Sequence, residues 1–234
     1  MLTSEEAAPA RTPPPPHPSR PAVLFAALVL LVVTVDVWAG GPLSRLDHRL
    51  GERLTFWDLR STGWPRVLLT VGVYFGQRGL VLSLSVVLLA LLAWRCRTTE
   101  PLLRLVVGLA ALAALIYAVK LGLARNAPIQ DTRGDPAGTG TSYPSGHVAG
   151  AIVLWGLADW SLVRWPVSPG LSRLVHVGRR VAPFAVTVGM MLLNYHWLTD
   201  CVAGAAAGVV PLGLALIPGW AVVAARLDRR VWST

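Results

Sequence analysis

Six apolar blocks recur along this 234-residue chain, at 22–40, 75–94, 102–123, 148–163, 181–195 and 202–223. Each meets or approaches the roughly 20 residues that a helix needs to cross a bilayer core at about 1.5 Å per residue. No other feature limits the fold as much. With 54% hydrophobic and 14% charged residues, one soluble core would leave far more apolar surface than polar groups could cover. The expectation is an all-α, polytopic membrane protein with six transmembrane helices.

The polar segments between the blocks order the chain. Residues 1–21 are Pro-rich without an apolar face and read as a disordered cytoplasmic tail; 22–226 read as the membrane domain and 227–234 as a cytoplasmic C-terminal tail. The first block reads as an uncleaved span, a signal peptide ending in small residues being the alternative. Between the first two blocks, Leu43, Leu46, Leu50 and Leu54 alternate with charges at helical spacing, which predicts an extracytoplasmic amphipathic segment lying in the interface. His48 within it reads as solvated or salt-bridged. With both termini cytoplasmic, twelve of the 21 Lys and Arg fall inside, a modest positive-inside bias. The Arg-rich stretch before 181 becomes an inner loop carrying His176.

The net charge of +9 comes mostly from arginines scattered between apolar blocks, without a basic run or interleaved aromatics, so nucleic acid is excluded as a partner. Cys96 and Cys201 lack metal-ligand spacing and read as packing thiols.

In this topology Lys120, His147, His196 and Asp200 sit at four helix ends on one side of the membrane. Ionisable groups gathered beside hydrocarbon mark a functional site by default. In "HWLTD", a continuous helix would put Asp200 over His196, where a carboxylate fixes the imidazole tautomer and leaves the other ring nitrogen as a nucleophile. A local packing and capping pair is the plainer alternative. In "YPSGH", Ser145 can cap a helix, Gly146 admits close backbone approach, the first N–H groups suit phosphate oxygens, and His147 can protonate a leaving oxygen. An ordinary helix start is the alternative there. In "KLGLARNAP", Lys120 and Arg125 suit a phosphate, against the alternative of cations snorkelling from a helix end.

The three blocks, in this order and spacing, resemble the type-2 phosphatidic acid phosphatase family, also called the lipid phosphate phosphatase and haloperoxidase superfamily. The resemblance runs from the first span onward and includes "LSRLDHRL" after it. It implies a six-helix enzyme that removes phosphate from a membrane lipid phosphomonoester or diphosphate, such as a polyprenyl diphosphate, phosphatidate or phosphatidylglycerophosphate, with no metal and no cofactor. It also implies the roles: His196 attacks phosphorus, Asp200 orients it, His147 protonates the leaving group, and Lys120, Ser145 and Gly146 hold phosphoryl oxygens.

The chain departs from the family at two positions. Where the family places Arg-Pro after its motif lysine, Ala127 and Pro128 stand here; where it places Ser-Arg upstream of the nucleophile, Gly189 and Met190 stand. Arg125, two residues early, is the expected substitute for one phosphate-binding arginine. Arg78 and Arg133 are candidates for the other by side of the membrane only. The substitutions leave two further readings in play: a phosphotransferase that passes the phosphoryl group to an alcohol, and an inactive lipid-binding or lipid-moving homologue.

Overall fold

The computed structural model describes residues 17–61, 63–132 and 140–232. Residues 1–16 of the expected tail, and Arg133 and Asp135 of the connection before "YPSGH", lie outside the described residues, as does the side chain of Arg78. Among the described residues the structure is helical throughout: α1 (Arg20–Ala39), α2 (Pro42–Trp57), α3 (Gly63–Tyr74), α4 (Arg78–Cys96), α5 (Glu100–Leu123), α6 (Pro128–Thr132), α7 (Gly146–Arg164), α8 (Pro169–Leu192), α9 (Leu198–Ala215) and α10 (Gly219–Val231).

Helices α7 and α9 form the centre, packed against each other, with α4, α5 and α8 around α7 and α1 along α9. Small residues make this close packing possible. Ala149, Ala151, Ala203 and Ala207 are fully buried between the helices, and Val148, Val153 and Leu157 fill the remaining space. The outer surface is as apolar as the interior: Leu24, Phe25, Leu91, Leu121 and Phe184 are all exposed. An exposed apolar coat over a helical bundle is stable in lipid and not in water. Among the described residues, five segments are long and apolar enough to cross a bilayer, in α1, α3–α4, α5, α7 and α9. The chain is an all-α polytopic membrane protein.

Three expected boundaries are corrected. The block at 181–195 belongs to α8, which begins at Pro169, so the expected Arg-rich loop is largely helix and His176 is not a loop residue. Its charges face a buried carboxylate: His176 Nδ1 lies 3.2 Å, and Arg179 Nη1 2.9 Å, from the two oxygens of Asp159 on α7. The block at 202–223 breaks after Ala215, and a second helix carries the chain through most of the expected C-terminal tail to Val231. Pro218 cannot continue the ladder. Buried Arg104, paired with Glu100 at 2.6 Å, instead donates to the carbonyls of Ala215 and Ile217 at 2.7 and 3.2 Å. The second block is preceded by an apolar helix, α3, that packs on α8.

Candidate active site

At one end of the bundle the ends of α3, α5, α7 and α8, with α6 and the turn before α9, surround a cavity of about 570 Å³, whose wall includes Gln77, Lys120, Gln130, Ser142, Gly146, His147 and His196. Each side chain is placed by local chain chemistry. Ser145 caps α7 by accepting from the N–H of Val148 at 3.5 Å, and its own N–H donates to the Asp200 carbonyl at 2.9 Å. Gly204 lets α9 close onto this turn, since a Cβ there would lie 2.5 Å from the Ser145 carbonyl oxygen. Gly76 does the same from the other side, where a Cβ would meet the His147 carbonyl oxygen at 2.8 Å. His147 is thereby held at the cavity wall, with Nε2 3.2 Å from the Gln77 amide oxygen.

His196 lies in the turn between α8 and α9, not on a continuous helix. Asn194 adopts the left-handed conformation at φ 58°, which asparagine tolerates better than most residues, and the N–H groups of Tyr195 and His196 both donate to the Met190 carbonyl at 2.9 and 3.2 Å. The Asn194 amide donates to Thr55 on α2 at 2.7 Å. Asp200 sits in the first turn of α9 and folds back, so its Oδ2 accepts from the Trp197 N–H at 3.1 Å and lies 3.2 Å from His196 Nδ1. The expected pairing is therefore present, made by a helix start in place of a helix face. Ser142 completes it: its hydroxyl lies 3.0 Å from His196 Nδ1 and also donates to Asp200 Oδ2. With Nδ1 held from behind, the other ring nitrogen remains for the cavity, and the His147 and His196 ring centroids stand 6.4 Å apart across it.

The structure brings Lys120, Gly146, His147 and His196 to one cavity, with Asp200 directly behind His196. Lys120 reaches across to the Thr141 carbonyl. Two of the expected residues, Ser145 and Arg125, do not line the cavity. Ser145 is fully buried beneath the helix start, because capping turns its hydroxyl toward the backbone and away from the cavity. Arg125 points away from the cavity, drawn to two buried carboxylates: it donates to Asp47 Oδ2 at 2.9 Å, Asp200 Oδ1 at 2.8 Å and Thr199 Oγ1 at 2.7 Å. Ala127 and Met190 do line the cavity. Lys120 is the one Lys or Arg among the described residues of its wall.

Ser142, Gln77, Gln130 and Asp47 went unassigned from sequence. Ser142 directly precedes the YPSGH block, and its position was the available signal. Tyr143 beside it is fully buried and meets Thr34 of α1 at 2.8 Å; burial pushes its phenol up to about 12, so it stays protonated.

The model of the PAP2 superfamily matches residues 101–222, more than half of the chain and the part that holds Lys120, His147, His196 and Asp200. The chain belongs to the PAP2 superfamily. The fold is also that of the crystal structure of the first transmembrane PAP2 type phosphatidylglycerolphosphate phosphatase from Bacillus subtilis, which superimposes with a TM-score of 0.67 over 89% of this chain and 96% of that one, at 19% identity. At that identity the likeness is one of fold. No curated protein matches the chain. Asp47, on α2, lies outside the residues that match the superfamily.

Proposed function

We propose that this PAP2 chain is a lipid phosphate or lipid diphosphate phosphatase that works through a phosphohistidine on His196, without a metal cofactor, at the extracytoplasmic face of the cell membrane. The observation that carries the reading is the pair of imidazoles facing each other across one cavity at 6.4 Å, one held from behind by a carboxylate and a hydroxyl. In this reading the phosphoryl group is attacked from the His196 side and receives its proton from the His147 side.

His196 Nε2 forms the N–P bond while the P–O bond to the lipid breaks, and His147 passes its proton to the departing oxygen. Asp200 and Ser142 hold Nδ1 as the ring becomes positive. Lys120 and the first N–H groups of α7, reached past Gly146, stabilise the charge that builds on the phosphoryl oxygens. Water then attacks the phosphohistidine, His147 takes a proton from it, and inorganic phosphate leaves. The substrate belongs to the class that includes polyprenyl diphosphates, phosphatidate and phosphatidylglycerophosphate. Tyr117 and Leu121 on the α5 wall are exposed on the lipid side, so a headgroup can reach the cavity while its chains stay in the bilayer.

The test is phosphate release by the full chain in proteoliposomes against these lipids, with His196→Ala alongside. Release that depends on His196, with trapped label on that residue, supports the reading. Release unaffected by His196→Ala refutes it. Label arriving in a lipid alcohol in place of water turns it into a phosphotransferase.

A further inference from the structure

Arg125 is the residue for which geometry and sequence position disagree most. Its side chain is 12% exposed, and the side chains of Asp47 and Asp200 are completely buried on either side of it. Its guanidinium lies over the Trp197 ring at 5.1 Å, and its N–H groups reach Asp47, Asp200 and Thr199. Each carboxylate is in turn divided. Asp200 gives Oδ2 to His196, Ser142 and the Trp197 N–H, and Oδ1 to Arg125. Asp47 accepts from Arg125 and the Thr199 hydroxyl at Oδ2, and from the Thr199 N–H at Oδ1, 3.1 Å away. Trp197 offers α9 no side-chain cap. Asp47 therefore supplies, from another helix, an acceptor for the Thr199 N–H, in the first turn of α9 where backbone donors lack an intrahelical partner.

Resting on the phosphohistidine reading above, we infer that Arg125 is a positioning residue for the nucleophile and not a phosphate ligand, and that Asp47 of the amphipathic helix α2 is its anchor. A carboxylate held through one oxygen can rotate about Cβ–Cγ; held through both, its plane is fixed against His196 Nδ1. A forked, planar donor can fix Asp200 while its other arm is tied to Asp47, which a lysine point charge cannot do. Helix α2 thus takes part in aiming the nucleophile, although none of its residues lines the cavity with the two histidines.

The experiment measures kcat, KM and the inhibition constant for inorganic phosphate in Arg125→Gln, Arg125→Lys, Arg125→Ala with and without added guanidinium, Asp47→Asn and Thr199→Val. His196→Ala is the control for the reading itself. Arg125→Gln is expected to lose roughly 30- to 100-fold in kcat, the size of one lost charge-assisted contact. KM and phosphate inhibition should stay within about twofold, because no contact to phosphate is removed. Lysine should restore little, and guanidinium, entering beside His48 and Asn126 where Arg125 borders a second cavity, should restore part of kcat to Arg125→Ala. Asp47→Asn and Thr199→Val should each lower kcat several-fold with KM unchanged. A retained kcat with KM and phosphate inhibition weakened about tenfold would make Arg125 the phosphate ligand its sequence position suggests, and overturn the inference. An unchanged kcat overturns it as well. If the Arg125 variants do not fold, Thr199→Val, which removes no charge, decides in the same terms. When His196→Ala abolishes turnover and the Arg125 set changes nothing, only the positioning role fails; wild-type turnover that survives His196→Ala, or no wild-type turnover at all, removes both.

Discussion

Placing an arginine at Ala127 should increase turnover. Ala127 lines the cavity with both histidines, and its N–H donates to Gln130 Oε1 at 2.8 Å, so the backbone there is fixed and the direction of a new side chain is set. Lys120 is the one Lys or Arg among the described lining residues. A second charge about 4 Å from a phosphoryl oxygen contributes about 4 kcal/mol at an effective dielectric of 20. Ordering a long side chain costs up to about 2 kcal/mol of that. The remaining ~2 kcal/mol corresponds to roughly 30-fold in kcat/KM. Part of it belongs in kcat, because the charge on the phosphoryl oxygens grows as phosphorus is attacked. The assay is steady-state phosphate release from proteoliposomes for wild type, Ala127→Arg and Ala127→Lys, with lysine expected to give the smaller gain since it cannot fork. A folded Ala127→Arg protein whose kcat/KM stays within twofold of wild type, or falls, would mean that phosphate does not sit against residue 127, and the cavity assignment would be wrong.

Ser142→Ala should lower kcat about tenfold or more with little change in KM, because the hydroxyl that contacts both His196 Nδ1 and Asp200 Oδ2 is lost, each contact contributing about 1 kcal/mol to the aim of His196; kinetics on purified protein decides. Gly204→Ala puts a Cβ 2.5 Å from the Ser145 carbonyl oxygen and should cost about 1–3 kcal/mol, read as a lowered Tm together with lost activity, since the same turn carries His147. Glu100→Leu leaves Arg104 buried without its ion-pair partner and should destabilise by about 3–5 kcal/mol, with kcat of the folded fraction unchanged because the pair lies at the end of α5 opposite Lys120. Cys96 is exposed at the end of α4, on the side away from the cavity, while Cys201 is buried. An impermeant maleimide should therefore label intact cells poorly and inside-out vesicles well; the reverse pattern would put the active site in the cytoplasm.

The order of apolar blocks and the gathering of Lys120, His147, His196 and Asp200 at one end were legible because both follow from counting membrane crossings. The expected inner loop that proved to be helix and the burial of Asp47 on α2 share one physical cause. A window average treats charge as loop, yet in a bilayer a charge can be buried against the protein while leucines face lipid. Helix α8 does this with His176 and Arg179 on Asp159, and α2 with Asp47: its buried residues are Ser44, Asp47 and Gly51, while Leu43 and Leu46 face outward. In water the leucine stripe of α2 would mark its inward face; in lipid the inward face is the small, polar one, and the sequence alone does not say which solvent a given helix meets.

The same inversion accounts for the arginines. Arg125 stands near the motif position where a phosphate ligand is expected, but its partners Asp47 and Thr199 lie 78 and 74 residues away. No local spacing announces that two buried carboxylates claim it first. With Arg125 committed to them, and Ala127 and Met190 neutral, the proposed reading leaves phosphate, among the described residues of the cavity wall, to Lys120, the start of α7 and the amides of Gln77 and Gln130. A cradle made mostly of neutral donors stabilises developing charge less than one with two more guanidinium groups. On the proposed reading, rate in such a site depends more on how well His196 is aimed, the part assigned to Ser142, Asp200, Arg125 and Asp47. On the proposed reading, the single Lys or Arg among the described residues of the cavity wall and the dense network behind His196 are parts of one arrangement: Lys120 supplies charge at the front, and Ser142, Asp200, Arg125 and Asp47 supply orientation behind.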